Sequence, residues 1–567
     1  MGRIEDNYKR WLESTKVSQA DKNILKAMSK EEIEDAFFKD VEFGTAGMRG
    51  VLGPGTNRLN EFTVTRAALG FAMYVDETFD DASKKGVVIS HDNRLMSREF
   101  TLLSAKILSD CGIKVFIFDS LRPTPELSFA VRRLNACGGI MITASHNPKE
   151  HNGFKVYDET GCQLVPEKIV RLLEIIEFYP DVLSITVPTF SKKGEIITLD
   201  SSIDDEYVAL VESIALNKDM DKSNFPIVFT PNHGTAYVNG MRIFNDLGYD
   251  VHPLLIQCDP DPYFSGTLSP NPEDARSFIE PIKFAKEINA KLIVMTDPDG
   301  DRVGLGYLSR DGEYKTLTGN QSAVMLMDYM FETLKERNLL PENGVMYNTV
   351  VTSPLGGVVA NHFGIKHEAF LTGFKFIGNR IDYYEKHGGP EFVFGYEESY
   401  GCLIKPFARD KDGLQAITLY AEMANYYDKQ GKTLDEVYEE LGQKYGYYDD
   451  QVYNMSFVGP VGEQKMKNLM NILHNEPITD IGGVKIIQKD DYLKSITYYE
   501  DREEVISLPT SNVVRLTLED GTMIAVRPSG TEPKVKFYIS VNSKQKEDIN
   551  NKCEIVFSLI KQLLNLN

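Results

Sequence analysis

The 567-residue sequence is short of positive charge. It carries 62 Lys and Arg against 83 Asp and Glu, a formal net charge of −21. A field of that sign repels nucleic acid and anionic membranes, so neither is expected as a partner. An anionic ligand must then be held by local arginines and lysines. Cysteine is sparse as well. Cys111, Cys137, Cys162, Cys258, Cys402 and Cys553 are scattered without a CxxC pair, which reads as buried thiols and excludes a disulfide framework. No apolar run approaches the roughly 18 residues that a membrane-spanning helix needs. The stretch Met1-Gly2-Arg3-Ile4-Glu5-Asp6 lacks an apolar signal core, and Asp6 stands where N-myristoylation wants Ser or Thr. Low-complexity tracts and short-period repeats are missing too. These absences lead us to expect a cytoplasmic globular protein.

What is present is an ordinary globular composition, 42% hydrophobic and 26% charged, in a chain long enough for several cores. Its length suggests about four domains. Short β-branched runs (Val87 to Ser90, Val115 to Phe118, Ile227 to Thr230, Leu292 to Met295) alternate with amphipathic stretches such as Phe100 to Ser109 and Tyr207 to Ile214. That alternation predicts α/β units with buried, largely parallel sheets. The pattern restarts near residues 200, 320 and 450, giving expected blocks 1–200, 201–319, 320–449 and 450–567. A tyrosine-rich polar stretch, Tyr445 to Tyr453, separates the third block from the last. The last block reads as strands Asn512 to Leu518 and Val535 to Val541, closed by a helix from Asp548 to Leu564.

Four loops carry chemistry. Thr143-Ala144-Ser145-His146-Asn147-Pro148 sets a serine beside a histidine after the apolar run Ile140-Met141-Ile142. A serine hydroxyl needs a base, a cation or a metal to act as a nucleophile; otherwise Ser145 and Asn147 merely cap a turn. Asp297-Pro298-Asp299-Gly300-Asp301-Arg302 offers three carboxylates at alternate positions after a strand, which suits one hard cation such as Mg²⁺. An EF-hand is excluded, because the sixth loop position is Arg302 and the twelfth is Leu308. Gly395-Tyr396-Glu397-Glu398-Ser399-Tyr400-Gly401 offers partners for sugar hydroxyls. Arg527-Pro528-Ser529-Gly530-Thr531-Glu532-Pro533-Lys534 forms a small-residue turn between two cations, suited to a phosphate. Two glycine-rich segments ending in or holding a cation, Gly44 to Gly50 with Arg49 and Thr372 to Gly378 with Lys375, complete the set.

In this order and at these separations the six segments resemble the α-D-phosphohexomutase family over essentially the whole chain. The sugar-loop form resembles the branch holding bacterial phosphoglucomutases and the related phosphoglucomutase-2 and phosphopentomutase enzymes. The resemblance implies a heart-shaped, four-domain architecture: three related α/β domains and a C-terminal α+β domain of the TATA-box-binding-protein-like class. It implies that Ser145 is the phosphoserine, that Asp297, Asp299 and Asp301 bind Mg²⁺ with the Ser145 phosphate, and that Glu397 and Ser399 hold sugar hydroxyls. Arg527, Ser529, Gly530 and Thr531 would hold the distal phosphate, while Arg49, Arg302 and Lys375 line the cleft. Lys411 is implied as an acid or base, and His146 is a second proton-transfer candidate or only orients its loop. The implied reaction interconverts glucose 1-phosphate and glucose 6-phosphate through a phosphoserine and glucose 1,6-bisphosphate. Phosphopentomutase, phosphomannomutase or glucose 1,6-bisphosphate synthase activity on the same scaffold is the alternative. Monomer and dimer both remain open. Ala46 and Met48 stand where the family often has Ser and Leu. Tyr396 stands inside the sugar loop where many hexose-acting members have no such residue, a departure that bears on the sugar.

Overall fold

The computed structural model describes residues 2–44, 47–457, 459–529, 534–564 and 566. Its sheets follow the chain in sequence. The first is ordered Phe43–Gly44, Gly47–Val51, His151–Asp158, Gly138–Ile142, Val87–His91, Val115–Phe118, Ile196–Leu199. The last four of these strands run parallel, whereas His151–Asp158 is antiparallel to both its neighbours. In the second sheet Leu292–Thr296, Ile227–Thr230 and Val251–Pro253 are parallel, and Val303–Leu308 and Tyr314–Leu317 turn back on them. The third pairs Lys366–Phe370, Gly344–Thr349 and Glu391–Glu397 in parallel, with Gly401–Leu403 antiparallel at its edge. The fourth is antiparallel throughout. This is the expected order of α/β units followed by an α+β unit.

Local chemistry accounts for the elements. Val87–His91, Gly138–Ile142 and Leu292–Thr296 are buried on both faces, as parallel strands covered by helices must be. Thr318 and Gln321 close a capping box that starts the helix Gly319–Glu336, and the Asp412 side chain caps Gly413–Lys429. That second helix packs on Leu292–Thr296 and on the helices Ser202–Ser213 and Tyr237–Asp246, so one apolar core runs on from the second sheet into the third.

Two expectations differ from the structure. The polar stretch Tyr445 to Tyr453 lies largely within an edge strand, Tyr447–Ser456, pairing along one side with Lys534–Ser543. The closing helix is split: a short 3-10 turn spans Lys546–Ile549, Asn551 adopts a left-handed φ of 58°, and the helix then runs Lys552–Leu563. Three helices precede the first sheet (Gly2–Glu13, Gln19–Ala27, Lys30–Phe37) and close over Trp11 in a small apolar core.

Candidate active site

The serine loop leaves the buried strand Gly138–Ile142 and bends at once. Ser145 is 2% exposed and holds a left-handed φ of 53°, a conformation that costs an L-residue with a Cβ about 1–2 kcal/mol. The surroundings impose it. Ser145 N donates to Thr143 Oγ1 (2.8 Å), whose hydroxyl donates to Asp92 Oδ2 (2.6 Å). The Arg94 guanidinium donates to the carbonyls of Ser145 (2.6 Å), Asn147 (2.5 Å), Pro148 (2.9 Å) and His151 (2.9 Å). Asp92 holds Arg94 in turn, 3.2 Å from its Nε. Burial drives Asp92 up and Arg94 down, and each opposes the other's shift by its charge.

The metal loop meets this serine. Gly300, with φ of 70°, makes the turn, its N donating to Asp297 O (3.0 Å). Gly234 lets a second segment lie against it, since a Cβ there would come within 2.3 Å of Pro298 O. Asp297, Asp299 and Asp301 are all buried, with one ligand atom of each within 4.8 Å of the others. Ser145 Oγ donates to Asp297 Oδ2 (2.9 Å) and lies 3.2 Å from His146 Nδ1. Lys155 Nζ (2.7 Å) and Thr124 Oγ1 (3.2 Å) donate to Asp299 Oδ2. Asp299 Oδ1 and Asp301 Oδ1 are buried without a hydrogen-bond partner. Burial together with Asp299 and Asp301 raises Asp297 well above the carboxylate range. Crowded carboxylates with two oxygens that accept no hydrogen bond and an all-oxygen donor set fit a hard divalent cation.

The flanking groups complete the site. Lys411 Nζ lies 3.1 Å from Asp301 Oδ2, 3.2 Å from Asp410 Oδ1 and 3.7 Å from Glu397 Oε2. Burial works against its charge, but Asp301, Asp410 and Glu397 hold it above the usual ammonium range, so it stays charged, donates hydrogen bonds and gives up its proton reluctantly. Burial, with Arg302 and Arg49 nearby, pushes His146 well below its ordinary value and leaves a neutral imidazole. Arg302 pairs with Glu273 (2.8 Å) and Asp301 (3.7 Å), and Arg49 donates to Asn147 (3.3 Å). Glu397 accepts from Gly373 N (2.8 Å), and Lys411 Nζ sits 5.6 Å from the Phe374 ring, which ties the Lys375 segment to the sugar loop.

Ser399 lines a neighbouring cavity of about 270 Å³ with Glu273, Glu398 and, from the fourth sheet, Lys536 and Tyr538. Arg527, in the strand Met523–Pro528, is the cross-strand partner of Lys536, which lines this cavity. Ser529 N donates to Lys534 O (2.8 Å); Gly530 and Thr531 lie outside the described residues. Tyr396 is fully buried within the strand Glu391–Glu397, on the opposite face from Glu397 by the pleat, so it packs in the core. Asp92, Arg94, Thr124 and Lys155 were not singled out from the sequence.

Four sequence profiles match the chain. They are the alpha/beta/alpha domains I, II and III of phosphoglucomutase/phosphomannomutase at residues 40–180, 205–307 and 318–445, and its C-terminal domain at 469–549. The chain belongs to the phosphoglucomutase/phosphomannomutase family. It is 37% identical over 528 residues to a phosphoglucomutase of Staphylococcus epidermidis, covering 92% of this chain and 94% of that one. It is 35% identical over 553 residues to one of Staphylococcus aureus, covering 97% and 98%. Among solved structures, a phosphoglucomutase/phosphomannomutase family protein of Burkholderia thailandensis matches with a TM-score of 0.67 at 19% identity, over 94% of this chain and 98% of that one. Parafusin, a phosphoglucomutase of Paramecium in an open form, matches with a TM-score of 0.65 at 20% identity, over 92% and 94%. This family member is therefore an enzyme, a mutase that transfers phosphoryl groups. No helix among its described residues is long and apolar enough to cross a membrane.

Proposed function

We propose that this enzyme interconverts glucose 1-phosphate and glucose 6-phosphate in the cytoplasm. One observation carries the chemistry: Ser145 Oγ lies 2.9 Å from a carboxylate of the buried Asp297, Asp299 and Asp301 cluster. The near-full-length likeness to phosphoglucomutases supports the substrate.

Ser145 carries the phosphoryl group. Its Oγ–P bond breaks as a free sugar hydroxyl forms a new P–O bond, and the hydroxyl proton passes to the freed Ser145 Oγ, giving glucose 1,6-bisphosphate. The bisphosphate turns over within the cleft, its other phosphate returns to Ser145, and the isomer leaves. Neutral His146, with Nδ1 3.2 Å from Ser145 Oγ, takes up the hydroxyl proton as the serine turns from Asp297 and is rephosphorylated. Lys411, held as an ammonium, donates to the phosphoryl oxygens or to the leaving hydroxyl. Arg49 and Arg302 offset charge on the moving group, and this positioning and electrostatic balance supply most of the catalysis. Glu397 and Ser399 hold sugar hydroxyls, Lys375 lines the sugar site, and Arg527 with Ser529, Gly530 and Thr531 binds the phosphate that is not reacting. Asp297, Asp299 and Asp301 would hold Mg²⁺, which neutralises phosphoryl charge when bound.

Initial rates with glucose 1-phosphate, mannose 1-phosphate and ribose 1-phosphate, each primed with glucose 1,6-bisphosphate, test the reading. The glucose substrate should be fastest, and Ser145→Ala should abolish turnover without unfolding the protein. Intact mass should show one phosphate on part of the wild type. A faster ribose 1-phosphate rate would move the enzyme to pentose phosphates, and an active alanine variant would end the phosphoserine mechanism.

A further inference from the structure

The loop from Arg409 to Gly413 presents Lys411 from the third sheet's region, yet its hydrogen bonds reach the other two α/β units. Arg409 N donates to Ser128 Oγ (2.8 Å), in the helix Thr124–Arg133 beside the first sheet. Tyr207, from the helix Ser202–Ser213, donates its hydroxyl to Asp412 Oδ1 (2.8 Å), and Gly413 N donates to Gly300 O in the metal loop (3.1 Å). The carboxylate of Asp410 is divided between two tasks. Its Oδ1 faces the Lys411 ammonium (3.2 Å) and accepts from the Lys411 backbone N (2.8 Å). Its Oδ2 accepts from the Tyr157 hydroxyl (2.9 Å) and from Gln163 Nε2 (3.2 Å).

Tyr157 is fully buried and stands two residues past Lys155 in the strand His151–Asp158, so the pleat sends both side chains to one face of the sheet. Lys155 Nζ rests on Asp299. One strand of the first sheet therefore reaches Asp299 directly and Lys411 through Asp410. An ammonium on a flexible four-carbon stem has no geometry of its own and must be held by its acceptors. Asp301 lies at 3.1 Å, Asp410 at 3.2 Å and Glu397 at 3.7 Å, so Asp410 is one of three carboxylates that hold the ammonium between the metal loop and the sugar loop.

We propose that Asp410 and Tyr157 are positioning residues for phosphoryl transfer. Asp410 holds the Lys411 ammonium between the metal-loop carboxylate Asp301 and the sugar-loop carboxylate Glu397, and the Tyr157 hydroxyl fixes the orientation of Asp410. The inference rests on the mutase reading of the site.

The test is a double-mutant cycle on the full-length enzyme, with wild type, Tyr157→Phe, Lys411→Met and the double variant assayed for glucose 1-phosphate turnover. Asp410→Asn is run through the same cycle, since it keeps the side-chain size and loses the anionic partner. Tyr157→Phe should lower kcat about tenfold and change KM less than about twofold, the split expected when positioning in the transition state is lost. In the Lys411→Met background the same change should cost less than about twofold, because residues in one network are not additive. A merely structural tyrosine would give the same loss in both backgrounds and a lower melting temperature. That additivity, or a Tyr157→Phe rate within twofold of wild type, overturns the positioning role. If Tyr157→Phe does not fold, the Asp410→Asn cycle decides by the same criteria. A folded wild type that does not turn over glucose 1-phosphate overturns the functional reading and this inference with it; an active wild type with additive losses overturns only the inference.

Discussion

Arg94→Lys keeps the buried positive charge and removes the fork, and its effect follows from the serine loop. Arg94 satisfies the four carbonyls of Ser145, Asn147, Pro148 and His151 through two nitrogens. A lysine brings a single nitrogen on an unbranched stem, which can stand in for only one of the two guanidinium nitrogens, so about half of these carbonyls lose their partner. Each buried carbonyl left unpaired costs about 1–3 kcal/mol, and of the four only the Ser145 contact is fully buried, so the loss amounts to about 2 kcal/mol. The left-handed backbone at Ser145 adds its own tendency to relax once the bracket loosens. If the loss falls on serine placement, kcat drops about 30-fold, at about 1.4 kcal/mol per tenfold. Turnover is read by coupling glucose 6-phosphate to its oxidation, with near-ultraviolet circular dichroism to confirm that the fold persists. Arg94→Met should do worse, because it also strands the buried Asp92, and breaking such a pair costs about 3–5 kcal/mol. A folded Arg94→Lys enzyme within about threefold of wild-type kcat would refute the claim that this fork sets the reactive serine.

Asp299→Asn should weaken Mg²⁺ binding by more than the roughly 10- to 100-fold that outer-shell changes cost, and chelation should silence the wild type until Mg²⁺ is restored; full activity in EDTA would remove the metal from the scheme. Arg527→Ala should reduce kcat/KM for glucose 1-phosphate about 10- to 150-fold, the worth of one charge-assisted hydrogen bond, and unchanged kinetics would remove this arginine from the phosphate site. Burial, only partly opposed by Glu167, lowers Lys375 to about 8. Its ammonium is thus present below that pH and lost above it, so KM for the anionic substrate should rise as pH climbs through about 8, while Lys375→Arg should flatten the rise; a flat wild-type profile would count against Lys375 as a substrate contact.

The α/β units were legible because parallel strands are buried on both faces and read as unbroken β-branched runs. Val87–His91 and Leu292–Thr296 each extend the expected run by one residue. Tyr447–Ser456 was hidden by its position. As an edge strand it is half exposed, and Asp449, Asp450 and Gln451 on it give no apolar alternation to read. The break before the last helix was hidden differently. Asn551 turns left-handed there, a choice that an asparagine allows but does not announce.

The loops of the candidate site stand out in the sequence because their chemistry is contiguous: a serine beside a histidine, or three aspartates at alternate positions. Their supports do not, because each is a lone residue far away in sequence. Asp92 and Arg94 nevertheless left a usable signal. They follow Val87–His91, which lies beside and parallel to Gly138–Ile142. The loops beyond the carboxyl ends of adjacent parallel strands leave from the same edge of a sheet, so the Asp92 loop had to meet the Ser145 loop. An acidic and a basic residue there were candidates to brace it before any contact was known. That rule cannot reach Lys155. It sits inside a strand antiparallel to both neighbours, in a segment that reads Phe154-Lys155-Val156-Tyr157 and gives no reason to expect a buried charge. Only the carboxylate cluster supplies the reason. Three buried aspartates need compensating charge from somewhere, and a lysine on the facing strand provides part of it at 2.7 Å. The acids of a site can thus announce themselves as a motif, while the bases that make their burial possible become visible only when the sheet order is known.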